Sequence, residues 1–173
     1  MDELKVIERG DCYLTPLKEE HFAQIEVSLS PESLKEITIL GYDSTRQALE
    51  EMHKNAEAYI VRHKDGDIIC VGGLWYGDTT EEPQLFAMFS SRVKEKFTLL
   101  ARGSKTLVNF FDQTQPTMCM SILAEHEAML NWAAWLGFEP VAYVDFGDHQ
   151  YVDFVRCNPK QKNVYDTARP VKH

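Results

Sequence analysis

Between residues 22 and 52, apolar positions recur every three to four residues. Phe22, Ile25 and Leu29 make one stripe, Leu34, Ile37 and Leu40 a second, Leu49 and Met52 a third. That period places each set on one side of a helix. Start signals precede all three. Thr15-Pro16 reads as a cap followed by proline at the first helical position, and Ser30-Pro31 repeats it. Ser44 with Gln47 three residues on reads as a capping box, and Gly41 suits a helix stop. Ahead of the helices, residues 12–15 predict a short first strand.

From residue 58 the period shortens. Ala58-Tyr59-Ile60-Val61 and Ile68-Ile69-Cys70-Val71 have strand character, and Lys64-Asp65-Gly66-Asp67 between them signals a hairpin turn. The second strand continues to Tyr76 through Gly72 and Gly73, which mark either a bulge or a close backbone approach. Residues 78–83 read as an acidic loop, and residues 84–89 as a third strand. Val93, Phe97, Leu100, Ala101, Ser104, Leu107, Val108 and Phe111 then share one face of a long helix that stops before Pro116. Residues 117–123 predict a buried strand. Residues 125–136 predict a helix with Met129, Trp132, Ala133 and Leu136 inward, ended by Gly137. Strands over 141–145 and 151–155 flank Gly147-Asp148. The order is β-αα(α)-βββ-α-β-α-ββ, an α/β (α+β) fold with a mostly antiparallel central sheet and helices on both faces. Residues 84–89 and 117–123 should be parallel neighbours joined by a right-handed crossover. This makes one domain over residues 1–157 and a polar tail over 158–173.

Charge narrows the function classes. The chain has 173 residues with 27 acidic against 18 basic, a formal net charge of −9. Nucleic-acid binding by phosphate neutralisation needs a clustered basic surface. Here the basic cluster is only Arg92, Lys94 and Lys96, followed by Arg102 and Lys105. No stretch approaches a membrane span and the start Met1-Asp2-Glu3 is acidic, so the expected compartment is the cytoplasm. Cys12, Cys70, Cys119 and Cys157 lack metal-ligand spacing and read as free thiols.

The run Asn131-Trp132-Ala133-Ala134-Trp135-Leu136-Gly137-Phe138-Glu139 and the earlier Arg102-Gly103-Ser104-Lys105 carry a resemblance. With the element order, they resemble the GNAT family of N-acetyltransferases, and within it the acetyltransferase-like proteins of tailed phages. The resemblance spans about residues 13–155. It implies acetyl-CoA held between the fourth and fifth strands of the family fold, with backbone amides of Met88, Phe89 and Ser90 on the pantetheine. It also implies a pyrophosphate loop of the form Gln/Arg-x-x-Gly-x-Gly/Ala. The matching stretch is Arg92-Val93-Lys94-Glu95-Lys96-Phe97, with Glu95 and Phe97 where the family has glycines. Arg92, Lys94 and Lys96 would then hold the phosphates as point charges, and acetyl-CoA binding is expected to be weak or absent.

The tyrosine general acid of the family matches Ala133, and the asparagine that opens its helix matches His126. Candidate proton carriers are Glu82 and His126, against the plainer readings of a solvated loop acid and a surface histidine at a helix start. Trp75, Trp132 and Trp135 are expected in the core. Two functions remain open. One is an acetyl-CoA-dependent N-acetyltransferase acting on a small-molecule amine or a protein. The other is a catalytically degenerate module of the same fold, packaged in a virion or binding a host protein.

Overall fold

The computed structural model describes residues 3–77, 82–94 and 97–158. In chain order the strands and helices are β1 (Ile7–Arg9), β2 (Cys12–Pro16), α1 (Phe22–Ser28), α2 (Pro31–Ile39), α3 (Thr45–Asn55), β3 (Ala56–His63), β4 (Ile68–Trp75), β5 (Gln84–Phe89), α4 (Phe97–Asp112), β6 (Thr117–Leu123), α5 (Glu127–Trp135), β7 (Glu139–Phe146) and β8 (His149–Cys157). Single 3-10 turns stand at Glu19–His21 and Ser91–Lys94. The strands follow the order β1-β2-β3-β4-β5-β6-β8-β7. β5 and β6 are parallel, paired at Gln84 and Cys119. β1–β2, β2–β3, β3–β4, β6–β8 and β7–β8 are antiparallel. The expected fold class and the parallel neighbours across α4 are therefore present. The chain divides into two compact units, Met1–Tyr76 with Leu85–Leu107, and Gly77–Gln84 with Val108–His173.

The first unit is built around the face of β3 and β4 that Ile60 and Val71 supply. Phe22 and Ile25 of α1, Ile37 of α2, and Ala48, Leu49 and Met52 of α3 pack there with Leu17, Ile68 and Met88. Apart from Ala48, each such side chain contributes about 1.5–3 kcal/mol by leaving water. Successive strand residues point to opposite faces, so Val61 and Gly72 face the other way, toward Gly103 and Leu107 of α4. Helices thus cover both faces here. Gly72 and Gly73 prove to be close approaches. A Cβ on Gly73 would lie 2.1 Å from the Glu57 carbonyl, and one on Gly72 would lie 3.0 Å from Leu107. The register shift of this hairpin falls elsewhere, between Val61 and Arg62.

Several local expectations are corrected. Thr15-Pro16 does not start a helix: Thr15 and Pro16 end β2, opposite Ile60 and Tyr59. Pro16 lies past the last β1 partner, Leu14, so its missing N–H breaks no bond to β1. The first helix begins only after the 3-10 turn at Glu19–His21. β1, which has a single apolar residue, was not anticipated. Ser30 and Ser44 do cap, accepting from the Ser33 and Gln47 amides at 3.2 and 3.1 Å. On α2 the inward positions are Ser33 and Ile37, whereas Leu34 and Leu40 are exposed. The acidic loop at 78–81 and the tail from 159 onward lie outside the described residues.

In the second unit β6 alternates, with Met118, Met120 and Ile122 buried and Cys119 and Ser121 half-buried. β8 pairs along the whole of β6, from Thr117 opposite Cys157 to Leu123 opposite Tyr151. α5 buries Trp132 and Ala133, followed by Leu136 and Phe138. Trp135 is corrected from core to surface, because it projects about a quarter turn away from that stripe and is half exposed. Gly137 takes φ +89° as the helix stop, the left-handed conformation that favours glycine.

Candidate functional site

In the first unit the residues expected at the cofactor follow the end of β5. Met88, Phe89 and Ser90 are all buried. The Phe89 amide donates to Ser33 Oγ at 3.0 Å, and the Ser90 amide to the Ile69 carbonyl at 3.0 Å. The Phe89 carbonyl accepts from the Ser30 amide at 2.9 Å, and Ser91 Oγ donates to the Ser28 carbonyl at 3.2 Å. Serines at the junction of α1 and α2 thus weld that junction to the end of β5. This changes one expectation. The amides of Phe89 and Ser90 are engaged, and pantetheine could take them only by displacing Ser33 and Ile69.

The Ser90 hydroxyl is different. It is 1% exposed and has no hydrogen-bond partner among the described residues. A buried hydroxyl left unpaired costs about 1–3 kcal/mol. Just beyond it the chain makes the turn at Ser91–Lys94 and enters α4. Arg92 lies exposed in that turn, 3.5 Å from Asp67. Such a surface pair contributes about 0–1 kcal/mol. Lys94 closes the turn. Glu95 and Lys96 lie outside the described residues.

In the second unit Cys119 Sγ donates weakly to the carbonyls of Glu82 and Pro83, at 3.8 and 3.6 Å. Burial pushes the Cys119 thiol pKa up, and the nearby carboxylates of Glu82 and Asp153 push it further. The thiol therefore stays protonated and is a poor nucleophile. Ser121 Oγ donates to Asp153 Oδ1 at 2.6 Å, and Gln84 Nε2 donates to Ser121 Oγ at 3.1 Å. Glu82, Cys119, Ser121 and Asp153 are thereby brought to one place. His126 is the residue before α5; its carbonyl accepts from the amides of Met129 and Leu130, and its ring caps nothing. Ala133 is fully buried. Sequence reasoning missed Ser33, Ser121 and Asp153. The signal for the last two is their place at alternate positions on paired strands, which shows only once the register is known.

A further carboxylate is already taken. Glu57 accepts from the Tyr59 and Tyr76 hydroxyls at 2.8 and 3.0 Å. Burial first, then the Glu57 hydrogen bond and charge, push the Tyr59 phenol well above its ordinary range. Among the described residues no cluster of histidine, cysteine, aspartate or glutamate could hold a metal ion. No helix among them is long and apolar enough to cross a membrane.

No family model matches the chain, and no curated protein sequence matches it. Solved structures do. A Bordetella pertussis protein assigned to the GNAT acetyltransferases superposes with a TM-score of 0.73 at 16% identity, covering 89% of this chain and 100% of that one. The ribosomal-protein-S5-alanine acetyltransferase of Vibrio fischeri gives 0.64 at 14% identity, over 90% and 98% of the two chains. The spermidine N-acetyltransferase of Vibrio cholerae, solved with CoA and spermine, gives 0.64 at 13% identity, over 87% and 97%. At such identities the likeness speaks for architecture, and the architecture of this chain is the GNAT fold.

Proposed function

We propose that this protein is an N-acetyltransferase that passes the acetyl group of acetyl-CoA to an amine. The observation that carries the reading is the Ser90 hydroxyl, buried and unpaired at the end of β5, where the chain turns into α4. In this fold that strand end is the expected place of the pantetheine arm, which is rich in hydrogen-bonding groups. Acetyl-CoA supplies an acyl group activated as a thioester. Arg92, Lys94 and Lys96 would hold its phosphates as separate charges. Glu95 and Phe97 stand where the family has glycines, so binding should be loose, with dissociation constants between about 0.1 and 1 mM, or −5.5 to −4.1 kcal/mol. Glu82 and His126 remain the proposed proton carriers.

A cationic acceptor suits the net charge of −9, because a negative surface field raises the encounter rate of positive substrates. Two of the similar structures are named for amine acceptors, spermidine and the alanine of a ribosomal protein. Primary amines of either size are therefore the class to test. A second reading is favoured by the engaged amides of Phe89 and Ser90: a catalytically degenerate module of phage type, virion-associated or binding a host protein. Isothermal titration with acetyl-CoA, followed by an acetylation assay on polyamines and peptides, separates the two. Binding with turnover supports the enzyme. No heat of binding and no turnover at millimolar acetyl-CoA supports the degenerate module.

A further inference from the structure

β7 ends the sheet, and among the described residues no strand lies beyond it. Edge strands present unpaired N–H and C=O groups, and proteins blunt them with prolines, bulges and charges. On β7 these devices gather at its start, at Glu139, Pro140 and the register shift between Pro140 and Ala142. From Ala142 to Phe146 the one charge is Asp145. Every residue of the strand is exposed, with Val141 at 60%, Tyr143 at 72%, Val144 at 44% and Phe146 at 51%. The hairpin sets the direction of its backbone groups. Gly147-Asp148 is a two-residue turn between Phe146 and its partner His149, and such a turn closes on a hydrogen-bonded pair. Hydrogen-bonded and non-hydrogen-bonded pairs alternate along an antiparallel ladder. Asp145 and Tyr143 therefore stand in non-hydrogen-bonded pairs, opposite Gln150 and Val152. Gln150 agrees with this, because its carbonyl accepts the Ala124 amide at 2.8 Å, on the β6 side. The N–H and C=O of Tyr143 and Asp145 thus turn to the free edge.

We propose that β7 pairs antiparallel with β7 of a second copy of this chain, about a two-fold axis at Val144. A two-fold interface is self-complementary, and that selects the register. Asp145 opposite Asp145 would set two carboxylates against each other, which destabilises a sheet pair. Tyr143 opposite Tyr143 would bring Asp145 to Val141, the residue at the register shift. Val144 on the axis puts Tyr143 opposite Asp145 of the other copy twice, and Phe146 opposite the small Ala142 twice. No like charges meet, and the pairing lies within residues 142–146, past the bulge. Area sets the strength. At these exposures the rings of Tyr143 and Phe146 present about 200–300 Å² in each copy. Over two copies, with the valines and the backbone added, the buried area approaches the lower end of specific interfaces, about 1,200 Å² in total. The dimer is therefore weak, with a dissociation constant of about 1–100 µM. The net charge of −9 on each copy opposes approach. Salt screens that repulsion, so association tightens as salt rises.

Sedimentation equilibrium of the full chain across the micromolar range tests this. The expected result is a monomer–dimer equilibrium that shifts toward dimer with added salt. Val144→Lys and Val144→Glu each set like charges on the axis, and each should lower the association constant by about tenfold or more. Mixing the two variants in equal amounts should restore the dimer, because opposite charges then meet. Val144 is an exposed position, so both variants should melt as the wild type does. Independently of any variant, hydrogen exchange of the wild type followed by NMR should show the Tyr143 and Asp145 amides slowing as concentration rises. A wild type that is monomeric throughout, single variants that associate like the wild type, or a mixture that stays monomeric overturns the proposal. So do Tyr143 and Asp145 amides that exchange at one rate at every concentration. Slow exchange throughout assigns the edge to a segment of the same chain, and fast exchange throughout leaves it unpaired.

Discussion

Arg156 holds Asp112 by two hydrogen bonds, Nη2 to Oδ2 at 2.5 Å and Nε to Oδ1 at 3.3 Å, while its Nη1 donates to the Leu136 carbonyl at 2.7 Å. One guanidinium on β8 thus ties the end of α4 to the end of α5. Both partners are largely buried, with side-chain exposures of 9% and 14%. This contact also explains the glycine of the Leu-Gly-Phe turn. A Cβ on Gly137 would fall 2.6 Å from Arg156 Nη1, and the backbone there has φ +89°. Replacing Arg156 by Met leaves the Asp112 charge buried without its partner and should cost about 3–5 kcal/mol. Gly137→Ala should cost at least about 1–2 kcal/mol from the left-handed backbone alone. Urea unfolding of the two variants measures both.

Leu107 is 4% exposed on the α4 face that meets Gly72. Leu107→Ala should destabilise by about 2–5 kcal/mol, the usual range for a buried leucine replaced in this way. A loss under about 1 kcal/mol in chemical denaturation would mean that the helix does not pack there.

Ser90 carries two linked expectations. Removing an unpaired buried hydroxyl should leave stability unchanged or raise it. If the same hydroxyl meets the pantetheine arm, Ser90→Ala should weaken acetyl-CoA binding by about fivefold to tenfold, equivalent to a net hydrogen bond of about 1–1.4 kcal/mol. Thermal melts and calorimetry on one sample check both. Lower stability combined with unchanged affinity would show that the hydroxyl has a structural partner.

His21 is 5% exposed. Its Nδ1 accepts from the Lys18 amide at 3.1 Å and its Nε2 meets Glu3 Oε1 at 2.8 Å. Only the neutral ring can accept at Nδ1. Burial pulls the His21 pKa below its ordinary 6.5, and Glu3 opposes this in part. A lowered folded value means that the unfolded chain binds the proton more readily. The contribution is therefore present above about pH 6.5 and is lost as pH falls through the lower folded value. The thermal midpoint should drop between pH 7 and 5, and His21→Asn, whose Oδ1 can still accept the Lys18 amide, should flatten that drop. An equal drop in the variant would assign it to carboxylates instead.

Burial drives the Cys70 thiol pKa to about 12, with a smaller push from Cys12. Cys70 should therefore resist alkylation at pH 8 in the native state and react only on unfolding. Rapid native modification of Cys70, read by mass spectrometry, would contradict its full burial.

Local pattern alone determined much of this protein. The change from helical to strand period marked α1 to α3, the β3–β4 hairpin, α4 and β6 within a few residues. Ser30, Ser44, Gly66 and Gly137 punctuate the chain where the pattern places them. Those signals act over one helical turn or one hairpin, so a window of sequence contains them entirely. The tertiary structure decided the rest wherever a distant segment competed. Thr15 reads locally as a helix cap, but pairing with Ile60 drew it into β2. Ser121 and Asp153 are 32 residues apart, and Asp112 and Arg156 are 44 apart. Each pair meets only because sheet register and helix packing bring those positions together, and no periodicity along the chain encodes which partner that register selects.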